Sequence, residues 1–190
     1  MNCYVLAGGR STRMGAPKAT LPFAGSTFLQ RAIDAAQPVF RRVVVVERSG
    51  AGHRSVETIF EEPHEDEAPI FGVQRALADA RAKCVVLAVD YPLMTTEFLA
   101  DLVERFAYSR TPMLVPVADG YPHVLCAGYS HLLLPVIEAR IASRQYDLRS
   151  FALGGTTFQY EGFELMNVNT PEDLKEAERL YERQRLLTSR

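Results

Sequence analysis

Gly8, Gly9 and Gly15 stand among Arg10, Ser11, Thr12, Arg13 and Lys18, directly after the apolar run Asn2 to Ala7. These are the ingredients of a triphosphate cradle. Glycines let backbone N–H groups turn inward as an anion nest, while Arg presents a planar fork and Lys a point charge to phosphate oxygens. Ser11 and Thr12 add hydroxyl donors. A lone glycine pair with a solvated basic face would be the plainer reading of Gly8-Gly9. Three glycines, three cations and two hydroxyls within eleven residues favour anion binding. The spacing is not that of a Walker A loop, since no Lys-Ser/Thr follows Gly15, and it is not G-x-G-x-x-G.

Asp90 closes the apolar run CVVLAVD, and Tyr91, preceding Pro92, is pushed to an extended conformation that carries the chain off the sheet. Its carboxylate is expected at the same edge as the glycine loop. Mg²⁺ is held by one or two carboxylates together with phosphate oxygens and water, which makes Asp90 the expected metal ligand. The alternative is a turn or cap for the helix near Thr95, a duty that Thr95 and Thr96 can fill. Glu61, Glu62, Glu65, Asp66 and Glu67 read as a solvated charge run, within which Asp66 is taken as the carboxylate that accepts from a base edge. His53, His64 and His131 show no partner pattern and are read as surface or capping residues.

The elements that would position these groups follow from the patterning. Short valine-rich runs alternate with segments of helical period, as in βαβ units on a mostly parallel sheet. Strands are expected at Asn2 to Ala7, Arg42 to Glu47, Lys83 to Asp90 and Pro112 to Ala118. The runs VVVVE and CVVLAVD are apolar on successive residues, so both sheet faces should be covered. Phe28, Leu29, Ala32, Ile33 and Ala36 recur on one helix face, as do Phe98, Leu99, Leu102, Val103 and Phe106. Asp119-Gly120 marks a turn, and Thr170-Pro171-Glu172-Asp173 starts the last helix. His123 to Tyr129 is read as a further strand, then a helix from Ser130 to about Ser143, then a hairpin-like pair at Thr156 to Tyr160 and Glu164 to Val168. The fold class is α/β, a three-layer αβα arrangement on a mostly parallel, mixed sheet, with an antiparallel element carrying the acceptor site.

A chain of 190 residues with 47% hydrophobic content is expected to form one domain. Its net charge of -2 leaves no basic excess for nucleic acid or an anionic membrane. Cys3, Cys84 and Cys126 lie far apart among apolar neighbours and read as buried thiols. MNCYVLAGGR lacks a signal-peptide layout and no apolar run approaches a membrane span, so a cytoplasmic location is expected.

LAGGRSTRMGAPKATLPFAG resembles the signature of molybdenum cofactor guanylyltransferases, which join GMP to molybdopterin. APIFGVQRAL, LAVDYPLMT, YPHVLCAGY and NVNTPEDL agree in order and spacing, so the resemblance covers Asn2 to Leu174. It implies a Rossmann-like nucleotidyltransferase domain over 1–190, nucleotide-binding to about residue 110 and acceptor-binding from about 111 to 175. Carried over, it makes the backbone of Leu6, Ala7, Gly8 and Gly9 the base and phosphate cradle, puts Arg13 and Lys18 on the triphosphate, and makes Asp90 the Mg²⁺ aspartate. Arg13, Lys18 and Asp90 would then be the catalytic set. Asn167 and Asn169 match the NxNTP motif, which implies a place near the acceptor's pterin phosphate or the metal; read alone, each is divided evenly between that role and capping or turn hydrogen bonds. GTP and molybdopterin or molybdenum cofactor are the implied partners, with other cofactor-biosynthesis proteins or molybdoenzyme chaperones beyond them, and neither nucleic acid nor membrane. Ala68, Phe71 and His123 depart from the pattern, which usually has glycine, a small residue and glutamine there. LAGG, as opposed to LAAG, resembles the guanylyl rather than the cytidylyl branch. The competing readings are a transferase using CTP or a sugar-phosphate acceptor, and a non-catalytic nucleotide-binding regulatory domain.

Overall fold

The computed structural model describes residues 1–8, 16–50, 52–53, 56–152 and 155–188. In chain order it runs β1 (Asn2–Leu6), β2 (Pro22–Phe23), β3 (Ser26–Thr27), α1 (Phe28–Ala36), β4 (Arg42–Glu47), β5 (Glu57–Phe60), α2 (Pro69–Ala80), β6 (Lys83–Ala88), α3 (Thr96–Tyr108), β7 (Met113–Ala118), β8 (Tyr121–Pro122), β9 (Cys126–Ser130), α4 (Leu134–Ala142), α5 (Leu148–Ala152), β10 (Thr156–Gln159) and α6 (Pro171–Thr188).

One sheet in the order β10-β7-β9-β6-β1-β4-β5 forms the middle layer, with β8 paired to β7. β1 lies parallel to both β4 and β6, and β4 parallel to β5. β9 is antiparallel to both β6 and β7. The sheet is therefore mixed, as the sequence indicates. Successive residues of β1 point to opposite faces: Cys3 and Val5 join α1, α3 and α6 in one core, while Tyr4 and Leu6 join α2, α4 and α5 in the other. That is why the interior strands carry no polar face. Chain direction across the sheet reverses beside β1, since β4 and β5 lie on one side and β6 on the other. Ligands of open α/β sheets bind outside the carboxyl ends of the strands at such a switch point.

The turn chemistry follows the sequence. Asp119 and Gly120, with φ of 51° and 77°, make the two-residue link between β7 and β8. Thr27 and Thr95 cap α1 and α3 through their hydroxyls. Thr96 does not act as a cap; its hydroxyl donates to Ala35 O.

Three expectations are corrected. The strand read from His123 begins at Cys126, because His123 N–H turns to Pro116 O and Cys126 N–H to His123 O. Thr156–Gln159 is not half of a hairpin: it pairs parallel with β7 at the sheet edge. Its supposed partner is a single helical turn at Phe163–Leu165 followed by extended chain, whose Val168 N–H bonds to Asp90 O instead of to a strand.

Candidate active site

Four strand ends meet at the switch point. Ala7 N–H donates to Val46 O and Val89 N–H to Leu6 O, so the chain leaving β1 is held between β4 and β6. Beyond these bonds lie Gly8, Arg48, Glu61 and Asp90, past the ends of β1, β4, β5 and β6 respectively. Gly9 and Arg13, like the rest of 9–15, lie outside the described residues.

Lys18 opens a short helical turn and reaches across to the β6 end. Its Nζ donates to Asp90 Oδ2 at 3.3 Å and to Asn169 Oδ1 at 2.5 Å. Asn169 Nδ2 donates in turn to Asn167 Oδ1 at 2.6 Å. Both amides thus lie on one side of the extended segment while Val168 between them is fully buried, as alternation requires. Asp173 anchors the segment: its Oδ2 accepts from Asn169 N–H and Thr170 N–H at 2.9 Å each, and Thr170 Oγ1 accepts from Asp173 N–H. This reciprocal capping box starts α6. Burial alone would raise the Asp173 carboxyl, but these N–H bonds hold it below the usual range.

Asp90 has two unlike oxygens. Oδ2 faces Lys18, whereas Oδ1 is buried with no hydrogen-bond partner among the described residues, in a side chain only 14% exposed. A buried acceptor left unpaired costs about 1–3 kcal/mol, more when charged. The donor set fits a hard divalent cation held by one carboxylate, phosphate oxygens and water. Among the described residues no group of three or more His, Cys, Asp or Glu is arranged to hold a metal ion.

On the far side of Gly8, the structure brings in a residue that the charge-run reading passed over. Glu61 follows β5, and a Cβ on Gly8 would lie 3.5 Å from its Oε1. Asp66 is exposed, and its Oδ2 accepts from Tyr146 OH at 2.6 Å. His64 is neither a surface nor a capping residue. Its side chain is 12% exposed, Nε2 lies 2.8 Å from Glu61 Oε2, Nδ1 lies 2.5 Å from Asp66 O, and the ring stacks on Phe71 at 3.6 Å. The signal that could have found this cluster is Phe71, which stands where the resembling family usually has a small residue.

A cleft of about 560 Å³ opens beside the asparagines, with Tyr91, Tyr121, His123 and Arg149 in its wall. Tyr91 OH lies 3.3 Å from His123 Nδ1. Burial pushes the Tyr91 phenol up and the His123 ring down, so both are neutral near neutral pH. The three cysteines are buried and unpaired; burial pushes Cys84 up to about 12, which excludes a thiolate nucleophile there. No described helix is long and apolar enough to cross a membrane.

The MobA-like NTP transferase domain matches residues 3–154. The chain is 33% identical over 181 residues to a probable molybdenum cofactor guanylyltransferase from Aquifex aeolicus, covering 91% of this chain and 88% of the relative. It is also 33% identical over 196 residues to a protein of the same name from Rhodopirellula baltica, covering 90% and 88%. Among solved structures, molybdopterin-guanine dinucleotide biosynthesis protein A from Archaeoglobus fulgidus superposes with a TM-score of 0.82 at 26% identity, covering 96% of this chain and 100% of that one.

Proposed function

We propose, starting from the fact that the chain belongs to the MobA-like NTP transferase domain family, that it transfers GMP from GTP to molybdopterin, forming the guanine dinucleotide cofactor and pyrophosphate. The observation that carries the reading is the orphaned Asp90 Oδ1 beside Lys18, at the strand ends that border the glycine loop. A nucleotide laid across β1 puts its base toward Glu61 and its phosphates toward Asp90 and Lys18. The backbone of Leu6, Ala7 and Gly8, continued by Gly9, is the cradle, with Arg13 adding charge. Glu61 in place of Asp66 is the base acceptor, since guanine offers N1–H and a 2-amino group as donors. Asn167, Asn169 and the N-terminus of α6 hold the acceptor's phosphate in the adjoining cleft. Residues to about 110 would then serve the nucleotide and about 111 to 175 the acceptor.

The acceptor phosphate is already ionised at neutral pH and needs no general base. The protein's work is alignment and charge stabilisation. Lys18, free to leave Asp90, follows the negative charge onto the triphosphate. Asp90 would hold a divalent cation, Mg²⁺ by preference, which would supply neutralisation of charge on the reacting phosphates.

The test is turnover with GTP and with CTP, molybdopterin as acceptor, for the wild type and Asp90→Asn. Dinucleotide should form from GTP, depend on Mg²⁺ and fall at least about a hundredfold in the variant. CTP as the better donor, or full activity in Asp90→Asn, would sink the assignment.

A further inference from the structure

His64 sits with an oxygen opposite each ring nitrogen, Asp66 O at Nδ1 and Glu61 Oε2 at Nε2. Its ring is held between these two oxygens at 2.5 and 2.8 Å and stacks on Phe71 at 3.6 Å with planes 13° apart, which fixes where Nε2 meets the carboxylate. The other charged groups packed around the pair are committed elsewhere. Arg48, from the β4 end, pairs with Glu67 and donates to His64 O and Glu65 O; Asp66 accepts from Tyr146; Arg75, on α2, donates to Phe60 O.

We propose that His64 is a positioning residue for Glu61. Seated on Phe71 and tethered to Asp66 O, it occupies Glu61 Oε2 and leaves Oε1, which faces Gly8, as the acceptor that selects guanine. The inference rests on Glu61 being the base reader. Adenine presents a lone pair at N1 where guanine presents N1–H, so a fixed carboxylate there favours GTP over ATP through an unpaired-acceptor penalty. Phe71 gains its meaning from the same arrangement. A small side chain at that position would remove the face on which the imidazole rests.

Calorimetry of GTP and ATP binding with Mg²⁺, on the intact wild type, His64→Ala, His64→Gln and Glu61→Gln, separates the possibilities. His64→Ala should weaken GTP about tenfold while leaving ATP unchanged, which collapses the preference. His64→Gln, whose amide N–H can still reach Glu61, should recover most of it. Equal weakening of GTP and ATP in His64→Ala, or unchanged affinity for both, overturns the positioning role. If His64→Ala does not fold, a GTP preference as weak in His64→Gln as in Glu61→Gln overturns it equally well. Unchanged GTP binding in Glu61→Gln would instead overturn the assignment of Glu61 as base reader.

Discussion

At the scale of single residues, two close approaches decide what the site can hold. Gly72 lies on α2, and an added Cβ there would come 3.1 Å from Glu61 Oε1 and 3.1 Å from Leu6 Cδ2. Leu6 ends β1, so Gly72 is where the helix, the cradle strand and the carboxylate touch. Alanine at a helix position is favoured over glycine by about 1 kcal/mol, so Gly72→Ala should leave thermal stability level or slightly raised. The displaced carboxylate should nevertheless weaken GTP binding several-fold, with ATP binding unaffected. A melting scan beside a GTP titration checks both. Undiminished GTP affinity would mean that Glu61 moves aside without consequence.

Elements explain what could and could not be read in advance. β1, β4, β6 and β7 were legible because each is an uninterrupted apolar run, and α1 and α3 because their buried residues recur on one face. β5 (Glu57–Phe60) was not, since it is a half-exposed edge strand with no apolar signature. The pair Thr156 to Tyr160 and Glu164 to Val168 looked like a hairpin because local sequence cannot show that Val168 bonds Asp90 across 78 positions of chain (168 − 90). Asn167 and Asn169 were still placed on one side, because alternation in an extended chain does not depend on sheet partners. Glu61 hid in a charge run, whose composition is that of a solvated loop. β9 shows a comparable long-range constraint. At Gly128 an added Cβ would lie 2.5, 2.6 and 2.9 Å from three ring atoms of Phe106, a fully buried residue of α3. Relief of glycine's strand penalty is worth about 0.5–1 kcal/mol, whereas overpacking costs about 1–3 kcal/mol. Gly128→Ala should therefore lower the urea midpoint without changing the slope. A raised midpoint would show that the ring gives way freely.

Across the whole molecule, the two ends of the sheet divide the labour. At the end opposite the cradle, Arg42 donates in a bidentate pair to Glu57 and also to Asp79 Oδ2, which accepts from Tyr4 OH at 2.7 Å as well. This network ties the middle of β1 and the starts of β4 and β5 to the end of α2. Burial alone would raise the Asp79 carboxyl, but the hydrogen bonds from Arg42 and Tyr4 outweigh it and hold it below the usual range; the Arg42 bond holds Glu57 down likewise. A carboxylate whose folded pKa is depressed contributes stability above its unfolded value, near about 4, and that stability is lost as pH falls through the lowered folded value. Acidification below about pH 4 should accordingly destabilise the wild type more steeply than Asp79→Ala. At neutral pH, Asp79→Ala removes one acceptor from two donors and should cost about 2 kcal/mol, or about 4–8 °C in melting temperature for a domain of this size. GTP affinity should stay at the wild-type level, because no atom of the network reaches the cradle. Asp90→Asn should do the reverse, holding the melting temperature within a few degrees while losing Mg²⁺-dependent GTP binding. The two variants, melted and titrated with GTP on the same preparations, form a crossed test. Loss of GTP binding in Asp79→Ala, at a temperature where it remains folded, would show that the two ends are coupled through β1 and that the division does not hold.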